Sequence, residues 1–216
     1  MKEIKIILYI SSFLALCVLA FIFNQFNLIL IPFIFLIFIS CFLKKKSLSI
    51  FLLSVSISLI YFVAYALSSY YETNSLFLPG GDDEFFYIAS KAVYENGFNL
   101  NTKVGSHYLF SINYKGYLLF NYLIIELLNL LPYYELDILS FRLIKYLVSS
   151  LIPVIVYNIF KESIFKLSNK GILLLALFPH LIFFNYSLLR ESYISLLFGA
   201  FLYVIIYCKN YILKYL

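Results

Sequence analysis

Three carboxylates stand in a row, Asp82, Asp83 and Glu84, behind Pro79-Gly80-Gly81, in a chain where charge is scarce. Adjacent like charges repel, so such a triplet needs a reason. One reason is structural. Asp82 is a good helix N-cap, and acids in a first turn suit the helix dipole by roughly 0.3–1 kcal/mol each. Capping, however, needs only one carboxylate. The other reason is chemical. The triplet follows an apolar run, at bilayer-surface depth, where an acid can meet both a lipid-borne group and a soluble one. A second polar point, Arg190-Glu191, interrupts "FFNYSLLRESYISLLFG", and Arg142 opens another apolar run. A charged pair can simply mark a membrane boundary, and an arginine at a span end can snorkel. What gives these residues weight is a shared membrane face, and that depends on the elements that carry them.

The 216 residues are 63% hydrophobic and only 12% charged, with a mean hydropathy of +0.95. A soluble domain is about 25% charged. Several runs approach the roughly 20 apolar residues that cross a bilayer. The chain therefore reads as an all-α, polytopic, integral membrane protein. Its net charge is +5, which in this class marks cytoplasmic loops rather than a nucleic-acid surface. Cys17, Cys41 and Cys208 lie in or beside apolar runs, with neither metal nor disulfide spacing; they read as packing residues. Lys2 and Lys5 precede the first run, but no small-residue cleavage site follows, so a retained helix is expected.

Spans are expected at about 4–23, 27–43, 48–69, 140–160, 171–188 and 192–208. The first two form a hairpin turning at Asn24–Asn27, so residues 1–47 read as an N-terminal unit and 48–216 as the core. Lys44-Lys45-Lys46 ends the second helix and marks the cytoplasmic side. The third span then delivers an outer loop, 70–139. Within it, Gly116–Pro132 decides the topology. A crossing there would put Lys161, Lys166, Lys170, Lys209 and Lys214 outside; an interfacial or re-entrant helix would put them inside. The positive-inside rule favours the latter, as do Asn121, Glu126 and Asn129, because a mid-span acid costs roughly 2.5–3.5 kcal/mol on insertion scales. Six spans with both termini cytoplasmic follow, with seven as the alternative.

The outer loop holds one clear helix. After the Pro79-Gly80-Gly81 breaker, apolar residues recur at 85, 88, 89, 92 and 93, and Asn96-Gly97 is a stop. Asp83, Tyr87, Ser90, Lys91 and Tyr94 share the other face. The helix is expected to lie flat on the outer leaflet with its acids at the N-terminal end. On this topology Arg142, Arg190 and Glu191 face the same side. His107 reads as a surface residue, His180 as a helix-packing one, and Tyr108, Tyr114 and Tyr117 as an interfacial belt.

"GDDEFFYIASKAVYENGF" resembles the first outer loop of the GT-C superfamily of membrane glycosyltransferases, which includes protein O-mannosyltransferase-like and aminoarabinose-transferase-like enzymes. The shared pattern is an acidic pair, a nearby aromatic, an alanine-bearing amphipathic helix and a glycine. "GYLLFNYLIIELLNLLPYYELDILSFRLIKYLVSSLIPVIVYNIF" is similar to the interfacial helix and following span, which opens with Arg142-Leu143. "LFPHLIFFNYSLLRESYISLLF" resembles the next hairpin, placing Glu191 at the family's second acidic position. The resemblance covers about 48–208, and the family has about twice as many spans.

The resemblance implies sugar transfer on the extracytoplasmic face, from a polyprenyl-phosphate-linked donor to a glycan, lipid or protein hydroxyl. Asp83 is the first choice as general base, with Asp82 and Glu84 as alternatives. Arg190 and Arg142 are candidates for the departing phosphate, with Tyr87 and Glu191 beside the substrate. Some members hold a divalent metal, and Asp82, Asp83 and Glu191 could offer Mg²⁺ or Mn²⁺ hard oxygen ligands; lipid-monophosphate users often manage without. The competing readings are a non-catalytic protein of polysaccharide assembly or export, and an inactive truncated relative. A transporter would carry ionisable groups at mid-membrane depth.

Overall fold

The computed structural model describes residues 2–73, 76, 82–99, 101, 103–104, 107–108, 115–130, 137–161, 194 and 196–206. Among these, regular structure is helical apart from one two-residue antiparallel pairing, in which Lys103 faces Tyr108 and Val104 faces His107. Helix α1 spans Lys2–Ile22, α2 Asn27–Phe42 and α3 Lys45–Thr73. Helix α4 spans Asp82–Asn96, α5 Lys115–Leu128, α6 Ile138–Ser149 and α7 Ile152–Lys161. A further apolar helix, α8, covers Leu196–Ile206. The expected span at 171–188 lies outside the described residues.

Three segments are long and apolar enough to cross a membrane: Lys5–Ile22, Lys45–Glu72 and Ile138–Phe160. Helix α2 has 16 residues, or roughly 24 Å, and falls short of the roughly 30 Å hydrocarbon core. Helix α3 is longer than the composition alone indicates. Its 29 residues reach roughly 43 Å, because serine-rich ends continue the helix past the apolar stretch in both directions.

The hairpin turn falls where expected. Asn24 adopts φ 52°, a left-handed conformation that asparagine tolerates better than most residues. From there the contacts fix helix directions. Lys5, near the start of α1, donates to Ser49 near the start of α3 at 2.9 Å. Phe23, just past α1, packs edge-on against Tyr70 near the end of α3, with centroids 5.2 Å apart. Helices α1 and α3 therefore run parallel. The α6–α7 rod runs the other way: Phe62 meets Tyr146 at 5.4 Å, the Ser58 and Ser150 hydroxyls lie 3.2 Å apart, and Ser47 donates to Asn158 at 3.3 Å. Helix α1 packs on α2 and α3, and α6 also packs on α2 and α3, so four rods form a closed ring.

The expected single helix at 140–160 is two helices meeting at Ser150-Leu151. The cause is Pro153, which has no N–H for the Ser149 carbonyl and whose ring crowds it. The chain tightens there. Leu151 N–H donates to Val148 O at 3.1 Å, and Ile155 N–H restarts the ladder on Leu151 O at 3.0 Å. Helix α6 is buried almost all round, which marks it as the central element. By contrast α1 shows solvent or lipid a continuous apolar face including Ile6, Ile10, Phe13, Val18 and Phe21.

Candidate functional site

Because α3 and α6 are antiparallel, the chain leaves and re-enters the bundle at the same end. Helices α4 and α5 belong to that end, and α5, with 14 residues, does not carry the chain to the opposite one. The other end collects Lys5, Lys44, Lys45, Lys46 and the close of α7, where Lys46 lies 5.7 Å over the Tyr157 ring. The described carboxylate side chains thus lie away from this end, whereas lysines stand at both ends, Lys91, Lys103, Lys115 and Lys145 among those on the α4 side.

Helix α4 runs from Asp82 to Asn96, so Asp82 is its first helical residue and not the cap ahead of it. Gly97 takes φ +70°, the left-handed stop conformation. Its buried face differs from the expected apolar stripe. Phe86, Ala89, Ser90 and Val93 are buried, while Ile88 is 47% exposed. The partner, not the apolar maximum, chooses the face. The side-chain amide of Asn121 on α5 donates to the Ser90 hydroxyl at 2.9 Å, and that hydroxyl donates to the Phe86 carbonyl at 2.7 Å. Phe86 also packs edge-on against Tyr117 at 5.2 Å. Tyr117 is therefore a core residue and not part of an interfacial belt.

Asp82 and Asp83 are the first two residues of α4, and Glu84 beside them is exposed. Tyr87, one turn on, is half-buried. Burial pushes its phenol up from the usual tyrosine range, and the Asp137 and Glu95 carboxylates push it further the same way. Asp137 acts on α4 from the residue ahead of α6. Asp137 caps α6 there, its carboxylate accepting from Ser140 N–H at 2.7 Å.

Arg142 follows one turn later. It is 0% exposed, so it does not snorkel; its guanidinium turns inward and donates to the carbonyl of Leu76, just beyond α3. Lys145, three residues on and so on the same helix face, is 1% exposed. Two buried cations a turn apart in an apolar rod are costly unless partnered, and such residues mark functional sites by default. Asp137 thus acts on Tyr87 and Arg142 ties α6 to the chain just past α3, while Lys145 lies deeper, beside the Tyr146 that meets Phe62. Asp137 and Lys145 escaped the sequence reading. The signal for Lys145 was its i,i+3 spacing from Arg142; that for Asp137 was its place ahead of an apolar periodic run.

Arg190, Glu191 and His180 lie outside the described residues. Among the described residues no group of three or more His, Cys, Asp or Glu is placed to hold a metal ion. Of the three acids that could offer Mg²⁺ or Mn²⁺ hard oxygen ligands, Asp82 and Asp83 open α4 and Glu191 lies outside the described residues. No protein-family model, no curated protein and no solved structure matches this chain.

Proposed function

We propose that this chain is a GT-C-type membrane glycosyltransferase, or part of one, acting on the extracytoplasmic face with a polyprenyl-phosphate-linked sugar as donor. The observation that carries the reading is the buried pair Arg142 and Lys145 at the same end of the bundle as the Asp82-Asp83-Glu84 start of α4. Buried cations suit a lipid-linked phosphate, and acids at the same end of the bundle suit proton removal from an acceptor.

The acceptor hydroxyl oxygen attacks the anomeric carbon, and its proton passes to Asp83, with Asp82 or Glu84 as the alternative base. The bond from the anomeric carbon to the phosphate oxygen breaks, and polyprenyl phosphate leaves with the electron pair. Arg142, with Arg190, offsets the charge that grows on that phosphate. Tyr87 and Glu191 border the sugar. The acceptor is a glycan, lipid or protein hydroxyl.

The same reading takes the lysine-rich end as cytoplasmic and counts six spans, with both termini inside. Its support is the lysine cluster Lys5, Lys44, Lys45 and Lys46 at one end, and the antiparallel run of α3 and α6, which leaves α5 at the other.

One observation favours a second reading. Arg142 already donates to the Leu76 carbonyl, as a clasp in a non-catalytic assembly or export protein would. The test is Asp83→Asn in membranes supplied with a polyprenyl-linked sugar. A loss of roughly 10²–10⁴-fold in transfer is expected of a general base. Transfer equal to wild type would sink the catalytic role of Asp83. Absence of transfer in wild type, with normal membrane insertion, would favour the clasp.

A further inference from the structure

The lysine-rich end carries an unusual conflict. Helix α3 starts at Lys45, its first turn has no acid, and Lys44, Lys45 and Lys46 are all exposed. A helix N-terminus already holds about half a positive charge and several N–H groups without intrahelical partners, so cations there are unfavourable. Lys5 joins them from α1 through Ser49. The described carboxylate side chains all lie elsewhere: Glu72 in the last turn of α3, Glu84 and Glu95 on α4, Glu126 on α5 and Asp137 at the start of α6. In sequence, Glu3 and Glu162 are the acids that flank this end, against Lys2, Lys5, Lys44, Lys45, Lys46 and Lys161.

A second feature adjoins the first. Helix α2 ends at Phe42, two residues before Lys44. Phe38 and Phe42 are 60% and 70% exposed, and their rings lie 5.0 Å apart. A concentrated positive charge therefore sits directly at the end of an uncovered aromatic ridge. That is the complement of an amphiphile with an anionic head and apolar tails.

We propose that this end seats an anionic phospholipid. Its phosphate lies among Lys44, Lys45, Lys46 and the first amides of α3, and its acyl chains run along Phe38 and Phe42. The site is at the opposite end of the bundle from the proposed chemistry and does not depend on it.

The test uses the full chain in neutral detergent, following its thermal unfolding midpoint while phosphatidylglycerol, phosphatidylcholine or inorganic phosphate is titrated in. Phosphatidylglycerol should raise the midpoint saturably, and the other two should not. Lys45→Gln with Lys46→Gln should weaken the apparent affinity by about five-fold per lysine, and the corresponding arginine pair should retain it. Removing lysines can disturb insertion, so Phe38→Ala with Phe42→Ala provides a test that leaves charge alone; it should weaken phosphatidylglycerol several-fold. An equal response to phosphatidylcholine, a full response to inorganic phosphate alone, or unchanged affinity in either variant pair would overturn the site.

Discussion

The guanidinium of Arg142 donates to the carbonyl of Leu76, joining α6 to the chain just past α3 across 66 residues of sequence. The segment between α3 and α6 therefore starts from a fixed point. The bond sits at a fully buried arginine, where hydrogen bonds to charged groups contribute most.

Arg142→Met should strip that point of its donor and leave the Leu76 carbonyl without this bond. The expected loss is about 1–3 kcal/mol, read as a lower unfolding midpoint in detergent. Arg142→Lys keeps the charge without the planar fork. Under the proposed chemistry it should recover more stability than transfer activity, a split that a purely structural clasp would not produce.

Asp137 is predicted to govern the alkaline behaviour of Tyr87. The folded-state pKa of Tyr87 is raised above its ordinary value near 10. Its contribution to stability is therefore fully present below about pH 10 and is lost as pH climbs through the folded value. Asp137→Asn keeps an N-cap but removes the charge. The Tyr87 titration should move down, followed by phenolate absorbance against a Tyr87→Phe control. It should stay above the ordinary value, since burial is the larger cause. Asp137→Ala should also cost about 1 kcal/mol through the lost cap.

The Ser90–Asn121 contact should behave as a coupled pair. Ser90→Ala and Asn121→Ala each remove one partner of a buried hydrogen bond. A double-mutant cycle on unfolding should give a coupling of about 0.5–1.5 kcal/mol. Additive effects would mean that α4 and α5 are held by their other contacts, Phe86 on Tyr117, Phe98 near Tyr122 and Asn129 donating to Tyr94.

Topology is open to a labelling experiment. In a background lacking Cys17, Cys41 and Cys208, a cysteine at Glu84 should react with an impermeant thiol reagent added outside intact cells, whereas one at Lys45 should react only after permeabilisation. The reverse pattern would invert the orientation.

Local signals were legible where one residue decides the geometry. Asn24 announced the hairpin, Asn96-Gly97 ended α4, and the lysine triplet marked one end of the bundle. Tertiary choices were not. The pattern around Arg142 is the same for a side chain that snorkels outward and one that turns inward; only the packing of α6 among α2 and α3 separates them. Ser90 looked like part of a polar face because its partner lies 31 residues away. The break at Ser150 was foreshadowed by Pro153, but the apolar run on either side masked it. Of the candidate site, Tyr87 is acted on by Asp137 and Arg142 ties α6 to the chain just past α3, and the family resemblance remains an expectation carried by the motifs alone.

The serines of α3 set a schedule for biogenesis. Ser54, Ser56 and Ser58 are buried in the finished bundle, and Ser58 lies against Ser150. The α6–α7 rod begins about 65 residues after α3 ends. At roughly 5–20 residues per second of synthesis, α3 waits on the order of 3–13 s for that partner, with only α1 and α2 already made. During that interval its hydroxyls must satisfy themselves on their own backbone, as serines in apolar helices can. A slowed ribosome between codons 74 and 137 would lengthen the wait, and quality-control proteases of the membrane would have their best opportunity there.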